Sequence, residues 1–312
     1  MDKISKFILL IMIINVSFFS KNLNFYDEKN KITFNQQTST PKKYAIQKGI
    51  YETGHSFVLE NSLNIHDPIY INNNTDLIAQ ASNEGWQGNG SESNPYIIQN
   101  YFINYASSHG VYLNNITFHT MIKNIWVNDS VNNGFYFYNS NNITIMNNTA
   151  SFNNFGYCIG DQYSNEVINN SLINNYAFDN DKGFVFYHMR YNDISNNTAL
   201  NNKDGFYFTY FGYNNLTNNI VTQNDYGIFC AGSSTTGNCF ENEIKNNFVS
   251  KNHISGITLG FGLNNLLENN LFFDNSISVS GSSGLSESRD NQVINNRFEN
   301  GGLTMSGSLY NK

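Results

Sequence analysis

The chain alternates apolar and polar residues over very short runs, as in Gly205-Phe206-Tyr207-Phe208-Thr209, and separates these runs with paired asparagines. A period of two over three to five residues, bounded by Asn and Gly, predicts short half-buried strands joined by tight turns. The pattern recurs as SNEVINNSLINN from 164, YNDISNNTALNN from 191, NNLTNNIVTQND from 214, ENEIKNNFVSKN from 241, NNLLENNLFFDN from 264 and DNQVINNRFENG from 290. Each copy runs on into an apolar tripeptide led by glycine. The unit is therefore phased on Gly134, Gly156, Gly183, Gly205, Gly227 and Gly256, with an earlier copy at Gly110 and later ones at Ser276 and Gly302. Most units are about 22 residues long, and the intervals 156–183 and 227–256 carry insertions.

Three short strands in about 22 residues are too few for a propeller blade, and the leucine consensus of a leucine-rich repeat is absent. The remaining reading is an all-β solenoid, a parallel β-helix in which each unit forms one coil. Coils stack at the strand spacing of about 4.8 Å, and none buries its apolar face alone. Where one strand bends into the next, the backbone must visit left-handed or bridge conformations, which Asn tolerates at lower cost than other residues with side chains. Its amide can also donate and accept along the stack. The phasing predicts one internal ladder through Asn148, Asn170, Asn197, Asn219, Asn247, Asn270 and Asn296, starting at Asn148 because Ile125 fills the position one coil earlier. The preceding asparagines, from Asn147 to Asn295, are expected to face outward.

Composition fits a turn-rich solenoid: 59 of 312 residues are Asn and 13% are charged, against about 25% in an ordinary globular domain. The net charge of −7 argues against nucleic acid as a partner. Residues 67–312 are expected to form a single β-helix domain, after a polar linker or irregular region at 21–66. Residues 1–20 place Lys3 and Lys6 before an apolar run from Phe7 to Phe19, the layout of a secretory signal or an uncleaved anchor. Membrane contact is expected through that segment alone, and the protein is expected to be secreted or at the cell surface.

These repeats resemble the right-handed parallel β-helix repeat family, the pectate-lyase-like group that also contains the NosD-like periplasmic copper-binding β-helix domain. The segment PIYINNNTDLIAQASNEGWQGNGSESNPYIIQN, 68–100, is similar to the entry of secreted members. The resemblance implies a Pro-led strand and a short capping helix at that entry, and a right-handed coil. It specifies fold more than function, because one fold hosts many activities.

Four sets of side chains are candidates for chemistry. Cys230 and Cys239 bracket the insertion AGSSTTGN and suit a disulfide in an oxidising compartment, although buried thiols serve equally well as small hydrophobes. Counting outward positions after each glycine gives Tyr112, Tyr136, Tyr138, Cys158, Val185, Tyr187, Tyr207, Thr209, Phe229 and Thr258, and the rings among them, Tyr112, Tyr136, Tyr138, Tyr187, Tyr207 and Phe229, form an aromatic stripe. Such a stripe can bind sugar rings by burying their apolar faces, and it is equally what cross-strand packing favours. Asp181, Asp204 and Asp225 alternate with Lys182 and Lys203 before the glycines. They form either a structural charge ladder or the acids of a polysaccharide lyase or glycoside hydrolase. On the other flank of the same strand lie Asp161, His188 and Arg190. The six histidines, His55, His66, His109, His119, His188 and His253, fall in different phases of the repeat, so no metal or other cofactor is expected.

Taken together, these features describe a binding or structural module for a polysaccharide or cell-envelope glycan. A lyase or hydrolase is the second reading, and a stacking module with end-to-end self-association is the third.

Overall fold

A computed structural model describes residues 63–160, 166–230, 239–280, 288–306 and 308–309. The chain divides into two units, Met1–Ile65 and His66–Lys312. In the first unit only residues 63–65 are described, so the leader expected at 1–20 and the linker residues up to 62 lie outside the described residues.

The second unit is a right-handed parallel β-helix, and every strand pair between coils is parallel. Sheet 1 holds ten strands from Ile69–Ile71 to Leu303–Ser306 and includes all the glycine-led strands. Sheet 2 holds nine strands from Tyr96–Gln99 to Gln292–Ile294. Sheet 3 runs from Tyr101–Asn104 to Arg297–Glu299. The structure adds a feature that the three-strand unit does not contain: a short fourth sheet of Val167–Ile168, Met189–Arg190, Phe211–Gly212 and Cys239–Phe240. At the entry, helix α1 (Asn74–Glu84) starts at Asn73, whose side chain accepts from the Asp76 N–H, and ends at Gly85 with φ +70°.

The glycine phasing matches the register between coils. Phe135, Tyr157, Phe184 and Phe206 pair in succession, each one residue beyond its glycine. A methyl group built on Gly205 would stand 2.6 Å from the carbonyl oxygen of Gly227 and 2.9 Å from Val221. No side chain fits between those two backbones.

The four rings stack at centroid distances of 4.8, 4.8 and 4.6 Å, with their planes nearly parallel, inside the coil. Sheet 3 answers with small residues in the same coils: Ala150 where sheet 1 has Tyr157, Ala177 where it has Phe184, and Ala199 where it has Phe206. Further along, Val221 and Val249 accompany Ile228 and Ile257. Large and small residues alternate across the coil, which keeps its cross-section filled at close-packed density.

Corners explain the asparagines. A residue with φ near +55° is followed by a buried Asn: Tyr191-Asn192, Asn196-Asn197 and Asn201-Asn202 are three such corners within one coil. The outer residue takes the left-handed turn and the inner one bonds along the stack. Three columns of buried Asn result, where the sequence phasing anticipated one. The first runs Asn148, Asn175, Asn197, Asn219, Asn247, Asn270, Asn296. The second runs Asn170, Asn192, Asn214, Asn242, Asn265, Asn291. The third runs Asn153, Asn180, Asn202, Asn224, Asn252, Asn275. Asn170 thus leaves the predicted ladder, and Asn175 takes its place. The strand Ser171–Ile173 pairs with Asp193–Ser195, which sets Asn170 beside Asn192. At the start of the first column, the backbone N–H of Ile125 donates to Asn148 Oδ1 at 2.9 Å.

Candidate functional site

The outer face of sheet 1 carries the predicted stripe. In register across the coils it reads Tyr70, Tyr112, Tyr136, Cys158, Val185, Tyr207, Phe229, Thr258. Cys158 and Val185 are buried, so the stripe divides into two aromatic clusters.

In the first cluster, Tyr112 lies 6.0 Å from Tyr70 and 5.5 Å from Tyr136, and Tyr136 lies 6.3 Å from Tyr138, centroid to centroid. His109 joins it, stacked on Tyr112 at 5.6 Å and tilted against Tyr136 at 4.9 Å. Its backbone N–H donates to the Tyr70 hydroxyl at 3.1 Å. Burial holds the His109 imidazole below its ordinary pKa, and its Nδ1 has no hydrogen-bond partner. Burial pushes the Tyr112 hydroxyl up, and the Tyr138 hydroxyl adds to that. Asn114, beside Tyr138 in register, also has a buried side-chain oxygen without a partner. Sequence reasoning passed over Tyr70 and His109. The available signal was position: His109 immediately precedes Gly110, and Tyr70 sits on the Pro-led strand.

In the second cluster Tyr207 lies 6.3 Å from Tyr187 and 5.9 Å from Phe229, and Tyr226 lies 4.9 Å from Phe229. The Lys182 Nζ stands 3.9 Å above the Tyr207 ring, a cation–π contact.

Each of the three aspartates has its own partner side chain. Asp204 is buried and ion-paired with Lys182, its register partner. Exposed Asp181 meets Lys203 at 3.9 Å. Asp225 meets His253 Nδ1 at 3.0 Å. Of the other flank, Arg190 pairs with Glu166 at 2.7 Å and His188 stacks on Tyr210 at 4.7 Å. Asp161 lies outside the described residues.

Cys230 and Cys239 form a disulfide with Cα atoms 6.3 Å apart, and both are buried. Residues 231–238 between them lie outside the described residues.

A family model described as "Periplasmic copper-binding protein (NosD)" matches residues 68–247 and, in an overlapping second alignment, 178–308. The chain belongs to the NosD family. No curated protein matches this NosD-family chain. Among solved structures it resembles the DFA-IIIase of Arthrobacter chlorophenolicus A6 without its lid, at 12% identity and a TM-score of 0.52, over 71% of this chain and 64% of that one. It also resembles the A-module of the mannuronan C-5 epimerase AlgE4 of Azotobacter vinelandii, at 13% identity and a TM-score of 0.43, over 75% of this chain and 93% of that one. At these identities the likeness is one of fold.

The NosD description names copper, and the described residues do not fit that metal. His66 faces Glu84, His253 faces Asp225, His188 stacks on Tyr210, and His109 packs among tyrosines. Cys230 and Cys239 are tied in the disulfide and offer no thiolate. Among the described residues, no group of three or more His, Cys, Asp or Glu side chains could hold a metal ion.

Proposed function

We propose that this NosD-family protein is an extracytoplasmic glycan-binding module whose ligand lies along the outer face of sheet 1. The observation that carries this reading is the cluster of Tyr70, His109, Tyr112, Tyr136 and Tyr138. Five rings meet there, and the depressed pKa of His109 leaves them uncharged at neutral pH. Sugar rings bury their apolar faces on such surfaces, and hydroxyls at the rim bond to phenols. A surface without charge suits a neutral glycan.

The second cluster, around Tyr207, extends the same face further along the coil axis. A location outside the cytoplasm is supported by the family's description as periplasmic and by the buried disulfide, since such bonds persist in oxidising compartments.

The alternative, a lyase or hydrolase using Asp181, Asp204 and Asp225, requires carboxylates that converge on one glycosidic bond. Their separate ion pairs account for them as a charge ladder.

The test is glycan-array binding by the intact protein, followed by titration calorimetry on the neutral oligosaccharides retained. Binding that weakens roughly tenfold or more in Tyr136→Ala/Tyr207→Ala is the expected result. An array that stays blank for folded protein, or binding that survives this double substitution, would remove the reading.

A further inference from the structure

A second aromatic surface lies over the short fourth sheet, with His188 and Tyr210 on its corner with sheet 1 and Tyr191 and Tyr213 on its corner with sheet 2. It is built at a conformational cost. His188, Tyr191, Tyr210 and Tyr213 all have positive φ, between 53° and 57°, where bulky residues are strained and Asn is tolerated. In the Tyr191–Tyr213 column Asn169 and Asn264 occupy the equivalent turns at φ 56° and 53°, while Glu241 and Asp290 occupy theirs at 51° and 55°. In two successive coils the cheaper residue is replaced by tyrosine.

The rings pair across the coils. His188 stacks on Tyr210 at 4.7 Å, and Tyr191 stacks on Tyr213 at 5.1 Å with planes 13° apart. Tyr213 meets Phe240 edge-on at 5.4 Å. Between the two pairs runs the column Arg190, Gly212, Phe240. A side chain at Gly212 would collide with the Phe240 ring, to which a built Cβ approaches within 2.3 Å. With that space open, the Arg190 guanidinium reaches to 5.0 Å from the Phe240 centroid while Glu166 holds it at 2.7 Å.

These rings are not hidden: Tyr191 is 58% exposed, Tyr210 38% and Tyr213 37%. The rim is acidic. Glu241 follows Phe240 and its charge is the main cause of the raised pKa of the Tyr213 hydroxyl. Asp193 is exposed on the first strand beyond the corner with sheet 2, and the one guanidinium is already matched by Glu166. Asp193 accepts from the Asn215 amide at 3.0 Å, and neither Asp193 nor Glu241 has an ion-pair partner among the described residues; exposed aromatic rings edged with such carboxylates attract cations and repel polyanions.

We propose that the aromatic rings over the fourth sheet form a second binding surface, separate from the outer face of sheet 1, that takes an amino sugar chain bearing free ammonium groups. The pyranose rings lie against Tyr191, Tyr210 and Tyr213, and the ammonium groups meet Glu241 and Asp193.

The experiment is calorimetric titration of the full chain with a glucosamine oligomer, its fully N-acetylated counterpart and an oligogalacturonate. Tyr191→Asn/Tyr213→Asn is the informative variant, because it installs the residue that the same column uses at 169 and 264. The glucosamine oligomer should bind roughly tenfold or more tightly than either competitor. The double Asn variant should lose that affinity with its melting temperature unchanged or raised, and Tyr136→Ala/Tyr207→Ala should keep it. Three results would overturn the proposal: no binding of the glucosamine oligomer, equal binding of either competitor, or a double Asn variant that binds normally. Loss of affinity only in the sheet 1 variant would also overturn it, moving the ligand to the first face.

Discussion

The backbone N–H and the side-chain amide of Asn197 both donate to one oxygen, Oδ1 of Asn219, at 2.9 and 3.1 Å. Asn219 repeats the arrangement toward Asn247, and its amide also donates to the carbonyl of Ile194 at 3.0 Å. One buried side chain thus satisfies polar groups in three neighbouring coils that a sharp turn would otherwise leave unpaired.

Removing such an amide strands several buried partners, each worth about 1–3 kcal/mol. Asn219→Ala should therefore destabilise the protein by about 3 kcal/mol, measured by urea unfolding. Its exposed neighbour Asn218, at φ 56°, should cost only about 1 kcal/mol when changed to Ala, through backbone strain alone.

The glycines of the middle coils, from Gly134 to Gly227, should tolerate no side chain. Gly205→Ala forces its Cβ against the Gly227 carbonyl, and the displaced coil should lower stability by about 2–3 kcal/mol. Gly302, with nothing near its Cβ position, should accept Ala with little change. Melting temperatures of the two variants would compare them directly.

The aspartates should separate by burial. Asp204→Asn leaves the Lys182 ammonium without its partner in a largely buried position, and about 2–3 kcal/mol of stability should be lost. Asp181→Asn removes an exposed pair and should change stability by at most about 0.5 kcal/mol. Were these groups catalytic, Asp181→Asn would abolish turnover of a polysaccharide without affecting melting. Assay of reducing ends on wild type and variant distinguishes the two roles.

Reduction of the Cys230–Cys239 bond should destabilise the protein by roughly 2–3 kcal/mol, from the entropy regained by a short loop in the unfolded chain. Cys230→Ser should reproduce the shift, and reductant should then have no further effect. Calorimetric scans with and without dithiothreitol measure both.

His109 fixes the direction of one pH effect. Its folded pKa lies below the ordinary 6.5, so folding favours the neutral imidazole. Its contribution is present above that ordinary pKa and is lost as pH falls through the folded value. His109→Phe should flatten this acid-side loss below the ordinary imidazole pKa, followed as melting temperature against pH.

The sequence by itself determined the coil. Alternation of apolar and polar residues set which side chains face inward, and glycine at a fixed phase marked the one column where backbones pack too closely for a Cβ. Left to the tertiary structure was which asparagines stack on which. Within a coil the pair of a turn residue and a buried Asn recurs every five residues, at Asn192, Asn197 and Asn202, so the sequence matches itself at three offsets. Residues inserted before Asn170 shift the apparent phase by one corner. Only the hydrogen bonds between coils resolve the ambiguity, pairing Asn170 with Asn192 and Asn175 with Asn197. The stripe was legible as alternation, including its interruption at Cys158 and Val185, but the gathering of His109 with Tyr112 and Tyr136 was not. That cluster depends on side chains of different coils meeting in space, and no single coil's sequence contains the contact.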